Sequence, residues 1–134
     1  SLKKKAPFES KDKSLADILL KPTKLYYNII VKVTKFLDIK GIAHITGGGL
    51  TGNIPRIIPK KLSFGLNLKN LPNNALFSWF QNISNLSDEE MLSTFNCGIG
   101  MALIVSKKDL KKIEKILKKE KENFFIIGEI VKKK

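Results

Sequence analysis

Apolar positions along this chain fall into two periodicities. Between Leu25 and Leu37, the residues Tyr26, Ile29, Ile30, Val33 and Leu37 recur at steps of three and four, with Lys32 and Lys35 on the other face. That spacing lays one apolar stripe along a helix and turns it toward a core. Leu110, Ile113, Ile116 and Leu117 repeat the pattern between lysines, so residues 107–120 are expected to form an amphipathic surface helix. Three serines each stand three residues before an acid: Ser14 with Asp17, Ser87 with Glu90, and Ser106 with Asp109. A hydroxyl and an acid at that offset satisfy each other's backbone donors at a helix start, which predicts a helix after each serine.

A second pattern is short and rich in Ile, Val, Leu and Phe. It occurs at residues 41–46, 62–68, 100–105 and 124–131, each bounded by turn residues, and predicts four strands. Helical and strand patterns alternate along the chain. The expected class is therefore α+β, with helices layered on a mixed sheet of about four strands. Residues 1–13 are polar and charged and read as a tether, and residues 14–134 as one domain without internal repeats.

Composition narrows this picture. At 134 residues and 43% hydrophobic, the chain has enough apolar surface for the core of one domain. Its longest apolar runs, Met101 to Val105 and Phe124 to Ile127, are too short to span a bilayer, and no signal-peptide pattern opens the sequence. The expectation is a soluble, cytoplasmic protein with no membrane partner. Cys97 is the single cysteine, so no internal disulfide forms. The first residue is not Met, which suggests a piece of a longer protein.

The net charge of +13 attracts polyanions or phosphorylated small molecules. Nearly all of it is lysine, Arg56 being the single arginine, and much of it lies on the predicted helix at 107–120 and in the tails. Nucleic-acid readers rely on Arg forks and exposed aromatics, and neither pattern is evident. A solvated lysine face without a nucleic-acid partner is the expected arrangement.

Candidate chemistry concentrates in two stretches. The first, Ala43 to Pro59, reads A-H-I-T-G-G-G-L-T-G-N-I-P-R-I-I-P and runs from a strand through Gly47, Gly48 and Gly49 toward a helix beginning near Leu50. Glycines there let backbone N–H groups approach an anion, and the helix start adds its positive dipole end. His44 and Thr46 would supply a ring and a hydroxyl, while Asn53 and Arg56 are expected to project from one helical face toward the ligand. Spacing alone leaves two readings open, a structural turn and an anion site, since Gly-Gly-Gly matches neither a Walker loop nor a dinucleotide fingerprint. His44 is likewise either a structural residue or a candidate catalyst.

The second stretch, Thr94 to Met101, reads T-F-N-C-G-I-G-M and places Asn96, Cys97 and Gly98 at a turn before a strand. A small buried thiol is the expected state of Cys97. Asp88, Glu89 and Glu90 read as the first turn of a capped helix. With one His, one Cys and no CxxC pair, no metal site is expected. Trp79 with Phe77 and Phe80 reads as core packing or an interface.

The stretches L-L-K-P-T-K-L-Y (19–26), G-I-A-H-I-T-G-G-G-L-T-G-N-I-P-R-I-I-P (41–59), L-F-S-W-F-Q (76–81) and E-M-L-S-T-F-N-C-G-I-G-M (90–101) closely resemble, in order and spacing, the aminoimidazole ribonucleotide synthetases, also called phosphoribosylformylglycinamidine cyclo-ligases. The resemblance runs from about Ser14 to Val131, and Ser1-Leu2 resembles the end of that family's interdomain segment. The Lys-rich helix and tail depart from typical members.

The resemblance implies the carboxy-terminal domain of a homodimeric purine-biosynthetic ligase. An amino-terminal domain, absent from this chain, would bind most of the cofactor, ATP with Mg, and form the dimer contact. ATP would phosphorylate the formyl amide oxygen of formylglycinamidine ribonucleotide, and an amidine nitrogen would then close the imidazole ring. By matching positions, His44, Thr46, Gly47, Gly48, Gly49, Asn53 and Arg56 would face the substrate cleft near the ribose phosphate, with Asn96, Cys97 and Gly98 lining or supporting it. No general base is assigned, and the isolated domain is expected to be inactive. Alternatives are a related superfamily enzyme of the formylglycinamidine synthetase, selenophosphate synthetase or thiamine-phosphate kinase type, or a non-catalytic basic RNA-binding module.

Overall fold

Local signals set the helix starts. In the computed structural model, which describes residues 2–11 and 14–133, the Ser14 hydroxyl accepts from the Asp17 N–H at 3.2 Å and the Asp17 carboxylate accepts from the Ser14 N–H at 2.9 Å. This capping box opens α1 (Leu15–Leu19). Ser87 and Glu90 open α5 (Asp88–Thr94) in the same way. The third serine behaves differently. Ser106 heads a 3-10 turn over Lys107–Asp109 and its hydroxyl makes no capping bond. There the backbone itself closes the turn, Asp109 N–H to the Ser106 carbonyl at 2.9 Å. The lysine-rich helix α6 (Leu110–Lys119) therefore starts three residues later than its charge pattern suggested.

The remaining elements are α2 (Tyr27–Phe36), β1 (Gly41–His44), α3 (Gly49–Asn53) running into a 3-10 turn at Ile54–Ile57, β2 (Leu62–Leu66), α4 (Ala75–Ser84), β3 (Met101–Ile104) and β4 (Gly128–Lys132). The α+β class stands. The four strands, however, pair as two antiparallel ladders rather than one mixed sheet: β1 with β3 and β2 with β4. The fourth strand begins later than its pattern suggested, at Gly128, where the Gly65 carbonyl of β2 occupies the place a Cβ would take. Just before it, Ile126 and Ile127 lend their carbonyls to Asn70 Nδ2 and Asn67 N–H, both at 2.7 Å.

The β1–β3 ladder separates two apolar clusters. Ala43 and its cross-strand partner Ala102 face one, built from Ile45, Leu50, Ile54, Leu92 and Ile99. Leu103 faces the other, where Ile29, Val33 and Leu37 of the α2 region meet Ile113 of α6. Successive strand side chains point to opposite faces, so neighbouring residues of one ladder reach different clusters. Leu50 and Val33 are fully buried, each worth about 1.5–3 kcal/mol in apolar transfer.

The stretch expected as a tether lies against the domain where it is described. Ala6 is buried, the Phe8 ring stands 5.5 Å from Trp79 on α4, and the carbonyls of Leu2 and Lys4 accept from Ala16 and Leu15 N–H. Ser1, Asp12, Lys13 and Lys134 lie outside the described residues.

Candidate functional site

Because β1 and β3 run antiparallel with His44 opposite Met101, the residues that follow β1 and those that precede β3 come together at one end of the ladder. The two chemistry-bearing stretches thus meet. Ile45 N–H donates to the Gly100 carbonyl at 2.9 Å and joins them directly.

At this end the chain leaves β1 with His44 and Thr46 exposed and Ile45 buried between them. Gly47 is exposed as well, with nothing within 4 Å of the place a Cβ would occupy. The bend then turns inward. Gly48 adopts φ +93° and Gly49 φ +58°, and a Cβ on Gly49 would overlap the Leu92 carbonyl and stand 2.7 Å from that of Phe95. Gly49 therefore permits the backbone of α3 to lie directly on the last turn of α5; it is buried there rather than turned toward a cleft.

Asn53 holds the bend in shape. It is the one buried polar side chain among the described residues, 6% exposed, and its Nδ2 donates to the carbonyls of Gly49 at 2.8 Å, Gly47 at 3.2 Å and Thr46 at 3.3 Å. Two N–H protons serve three acceptors, so the longer contacts share a proton. Drawing these carbonyl oxygens toward the buried amide removes the negative ends of the peptide dipoles from the outer edge of the bend.

Asn53 and Arg56 do not share an outward face as their spacing implied, because Asn53 is buried and Arg56 exposed. The α-helical period ends at Asn53, where the chain tightens into the 3-10 turn with Pro55 in its first turn.

The second bend is held by its own side chain. Asn96 Oδ1 accepts from Gly98 N–H at 3.0 Å, and the Asn96 carbonyl accepts from Ile99 N–H at 2.9 Å. Cys97 and Gly98 both take left-handed backbone, φ +49° and +87°. The Cys97 thiol is half-buried and donates to the Met91 carbonyl at 3.6 Å. Burial pushes its pKa up, and the negative charge of Asp88 adds to the shift, so the group is a packed thiol rather than a nucleophilic thiolate.

One neighbour of His44 was not anticipated from the sequence. Tyr26 meets the imidazole edge to face, with ring centroids 6.1 Å apart at 62°. The signal available was the L-K-P-T-K-L-Y stretch that ends on Tyr26, which no local rule of spacing ties to a site.

Other groups are engaged elsewhere. Glu90 accepts from the Ser87 N–H and hydroxyl, both at 2.8 Å, and these bonds hold its carboxyl below the ordinary range. Asp88 accepts from Gln81 at 2.8 Å. Among the described residues, no three His, Cys, Asp or Glu side chains gather in a way that could hold a metal ion. Phe77 and Phe80 pack on Phe95, which places the aromatic stretch of α4 in packing contacts. Among the described residues, no helix is long and apolar enough to cross a membrane.

Comparison with known proteins adds to this geometry. A family described as AIR synthase related protein, C-terminal domain, matches residues 1–134. The chain is 42% identical over 126 residues to the trifunctional purine biosynthetic protein adenosine-3 of Homo sapiens, a span of 94% of this chain and 12% of that protein. It is 40% identical over 120 residues to the phosphoribosylformylglycinamidine cyclo-ligase of Nitrosococcus oceani, covering 90% of this chain and 34% of the relative. The cyclo-ligase of Caldicellulosiruptor saccharolyticus is 45% identical over 125 residues, 93% and 37% of the two chains. The chain thus spans well under half the length of each of these relatives.

Proposed function

Since this chain belongs to the AIR synthase related protein, C-terminal domain family, we propose that it is the carboxy-terminal domain of a phosphoribosylformylglycinamidine cyclo-ligase and that its ladder end forms one wall of the substrate cleft. The reading rests on one observation above others. Two separate motif stretches converge at a single end of β1–β3, where His44, Thr46 and Gly47 are exposed and the loop carbonyls are drawn inward by Asn53.

ATP, which would be bound with magnesium chiefly by the other domain, would pass its terminal phosphoryl group to the formyl amide oxygen of formylglycinamidine ribonucleotide, leaving ADP, and that oxygen would depart as phosphate when an amidine nitrogen closes the ring. Magnesium is placed with the other domain in this reading, since among the described residues no three His, Cys, Asp or Glu side chains gather to hold it. This domain's part is positioning and charge neutralisation. The outer edge of Thr46 and Gly47 faces the ribose phosphate with backbone N–H groups, and exposed Arg56 supplies a guanidinium to pair with it. His44 stands at the mouth of the same edge. Gly49, Asn53, Asn96, Cys97 and Gly98 keep the two bends in register beneath it. The complete enzyme acts as a homodimer in the cytoplasm.

The test uses the complete enzyme. Arg56→Ala is expected to raise KM for formylglycinamidine ribonucleotide roughly 10-fold or more, the loss of a charge-assisted contact, while KM for ATP changes little. Equal effects on both substrates would remove Arg56 from the phosphate site. The isolated chain is expected to show no ring closure in the presence of ATP and substrate, and turnover by it alone would contradict a shared cleft.

A further inference from the structure

Three motif stretches meet at one point, where the substrate reading gives Tyr26 and Gly100 no part. Tyr26 closes the 19–26 stretch, His44 belongs to the 41–59 stretch, and Gly100 to the 90–101 stretch. The Tyr26 ring meets the His44 imidazole with centroids 6.1 Å apart. Its far end lies on Gly100, where a Cβ would overlap the Tyr26 hydroxyl and stand 2.8 Å from Cζ. Lys24 Nζ sits over the ring, 5.8 Å from its centroid, and is itself ion-paired with Glu122. The phenol is thus confined at its tip, along its face and against the imidazole.

We infer that Tyr26 is a positioning residue for His44, a wedge that Gly100 seats and that fixes the imidazole at the mouth of the cleft. Two features of the fold require it. His44 lies on the exposed side of β1, opposite Ala43, so no core contact restrains its side chain. Tyr26 is the ring that packs against it, and α2, anchored through Ile29 and Val33, gives that ring a rigid base. An exposed imidazole samples several rotamers, and a neighbouring aromatic face lowers that freedom by about 0.5–1.5 kcal/mol of pair energy.

Gly100 supplies the decisive control. Its backbone carries no left-handed φ, so Gly100→Ala introduces no conformational strain and acts by displacing the tip of Tyr26. Three variants of the complete cyclo-ligase test the inference: Tyr26→Leu, Gly100→Ala and the double substitution. Each single change is expected to lower kcat/KM for the nucleotide substrate by about 10-fold, and the double change by little more than either alone, the coupling expected of residues acting as one unit. Tyr26→Phe keeps the ring and is expected to stay within about twofold of the parent, because the aromatic contact survives. Additive losses from Tyr26→Leu and Gly100→Ala, or equal losses from Tyr26→Phe and Tyr26→Leu, would overturn it.

A second readout is independent of turnover. His44 is the only histidine, so the 134-residue chain gives a single imidazole Cε1–H resonance. Tyr26→Leu and Gly100→Ala are expected to move that resonance, and Tyr26→Phe to leave it close to the parent position. An unmoved signal in Tyr26→Leu would refute the wedge. The inference rests on His44 facing the substrate, and the two fail separately. If His44→Ala leaves kcat/KM unchanged while the resonance still follows Tyr26, the contact stands and the substrate reading falls.

Discussion

Removing the buried amide of Asn53 isolates the element that shapes the candidate loop. Asn53→Ala removes the side-chain donor shared by the carbonyls of Thr46, Gly47 and Gly49, of which Thr46 still accepts from Gly49 N–H at 3.1 Å; the contact with Gly49, at 2.8 Å, is the shortest of the three. Because the amide has two protons, the loss amounts to about two hydrogen bonds, each worth roughly 1 kcal/mol net, with more where a stranded acceptor stays dry. A destabilisation of about 2–4 kcal/mol follows, which in a domain of this size lowers the melting temperature by roughly 6–15 °C.

Asn53→Asp is the sharper case, since it keeps the shape and replaces the donor with an acceptor facing three carbonyl oxygens. A charge stranded there costs about 3–5 kcal/mol. The introduced carboxyl is favoured in its neutral form, so its folded pKa lies above the unfolded value. The folded state then binds the extra proton, and stability falls as pH rises from the unfolded pKa through the folded one. Urea unfolding of the parent and both variants at pH 5 and pH 8 reads this out. Asn53→Asp should be the least stable at pH 8 and recover part of the loss at pH 5. Parent-like stability of Asn53→Asp at pH 8 would show that Asn53 does not hold the loop.

Three further outcomes follow from the packing. Gly49→Ala places a methyl group on the Leu92 carbonyl at φ +58° and should destabilise by about 3 kcal/mol or more, measured by denaturation; tolerance of alanine would place α3 away from α5. Glu90 has a folded pKa below its ordinary value of 4.5, so its capping contribution is present above that value and is lost as pH falls through the folded one. The melting-temperature gap between parent and Glu90→Gln should therefore be present at pH 7 and shrink below pH 4.5; a gap independent of pH would contradict the cap. Burial first and Asp88 second raise the Cys97 pKa, so iodoacetamide should label the folded chain more slowly than the urea-unfolded chain, and Asp88→Asn should speed labelling; equal rates in both states would contradict a packed thiol.

What the sequence disclosed follows the range of the interaction involved. The helix stripe through Ile29, Val33 and Leu37, the lysine-flanked stripe through Ile113, and the boxes at Ser14 and Ser87 are local patterns, and each appears where its spacing placed it. Ser106 carries the same local pattern and fails because a backbone turn satisfies the donor first. Strand pairing is non-local, and nothing in the Ile and Val content of residues 41–46 or 124–131 specifies which strand each one meets. The candidate loop was legible as glycines beside a strand, but its division into an exposed Gly47 and a buried Gly49 depends on α5, more than 40 residues away in the chain. The inward turn of Asn53 and the contact of Tyr26 with His44 are tertiary events of the same kind.

The central claim is that the outer edge of the Thr46–Gly47 bend faces the phosphorylated sugar of the substrate. A crystal structure of the complete cyclo-ligase bound to formylglycinamidine ribonucleotide tests it directly. The account predicts the ribose phosphate within hydrogen-bond reach of the Thr46 or Gly47 backbone, with Arg56 beside it. A nucleotide seated elsewhere, with that bend covered by the preceding domain, would contradict it.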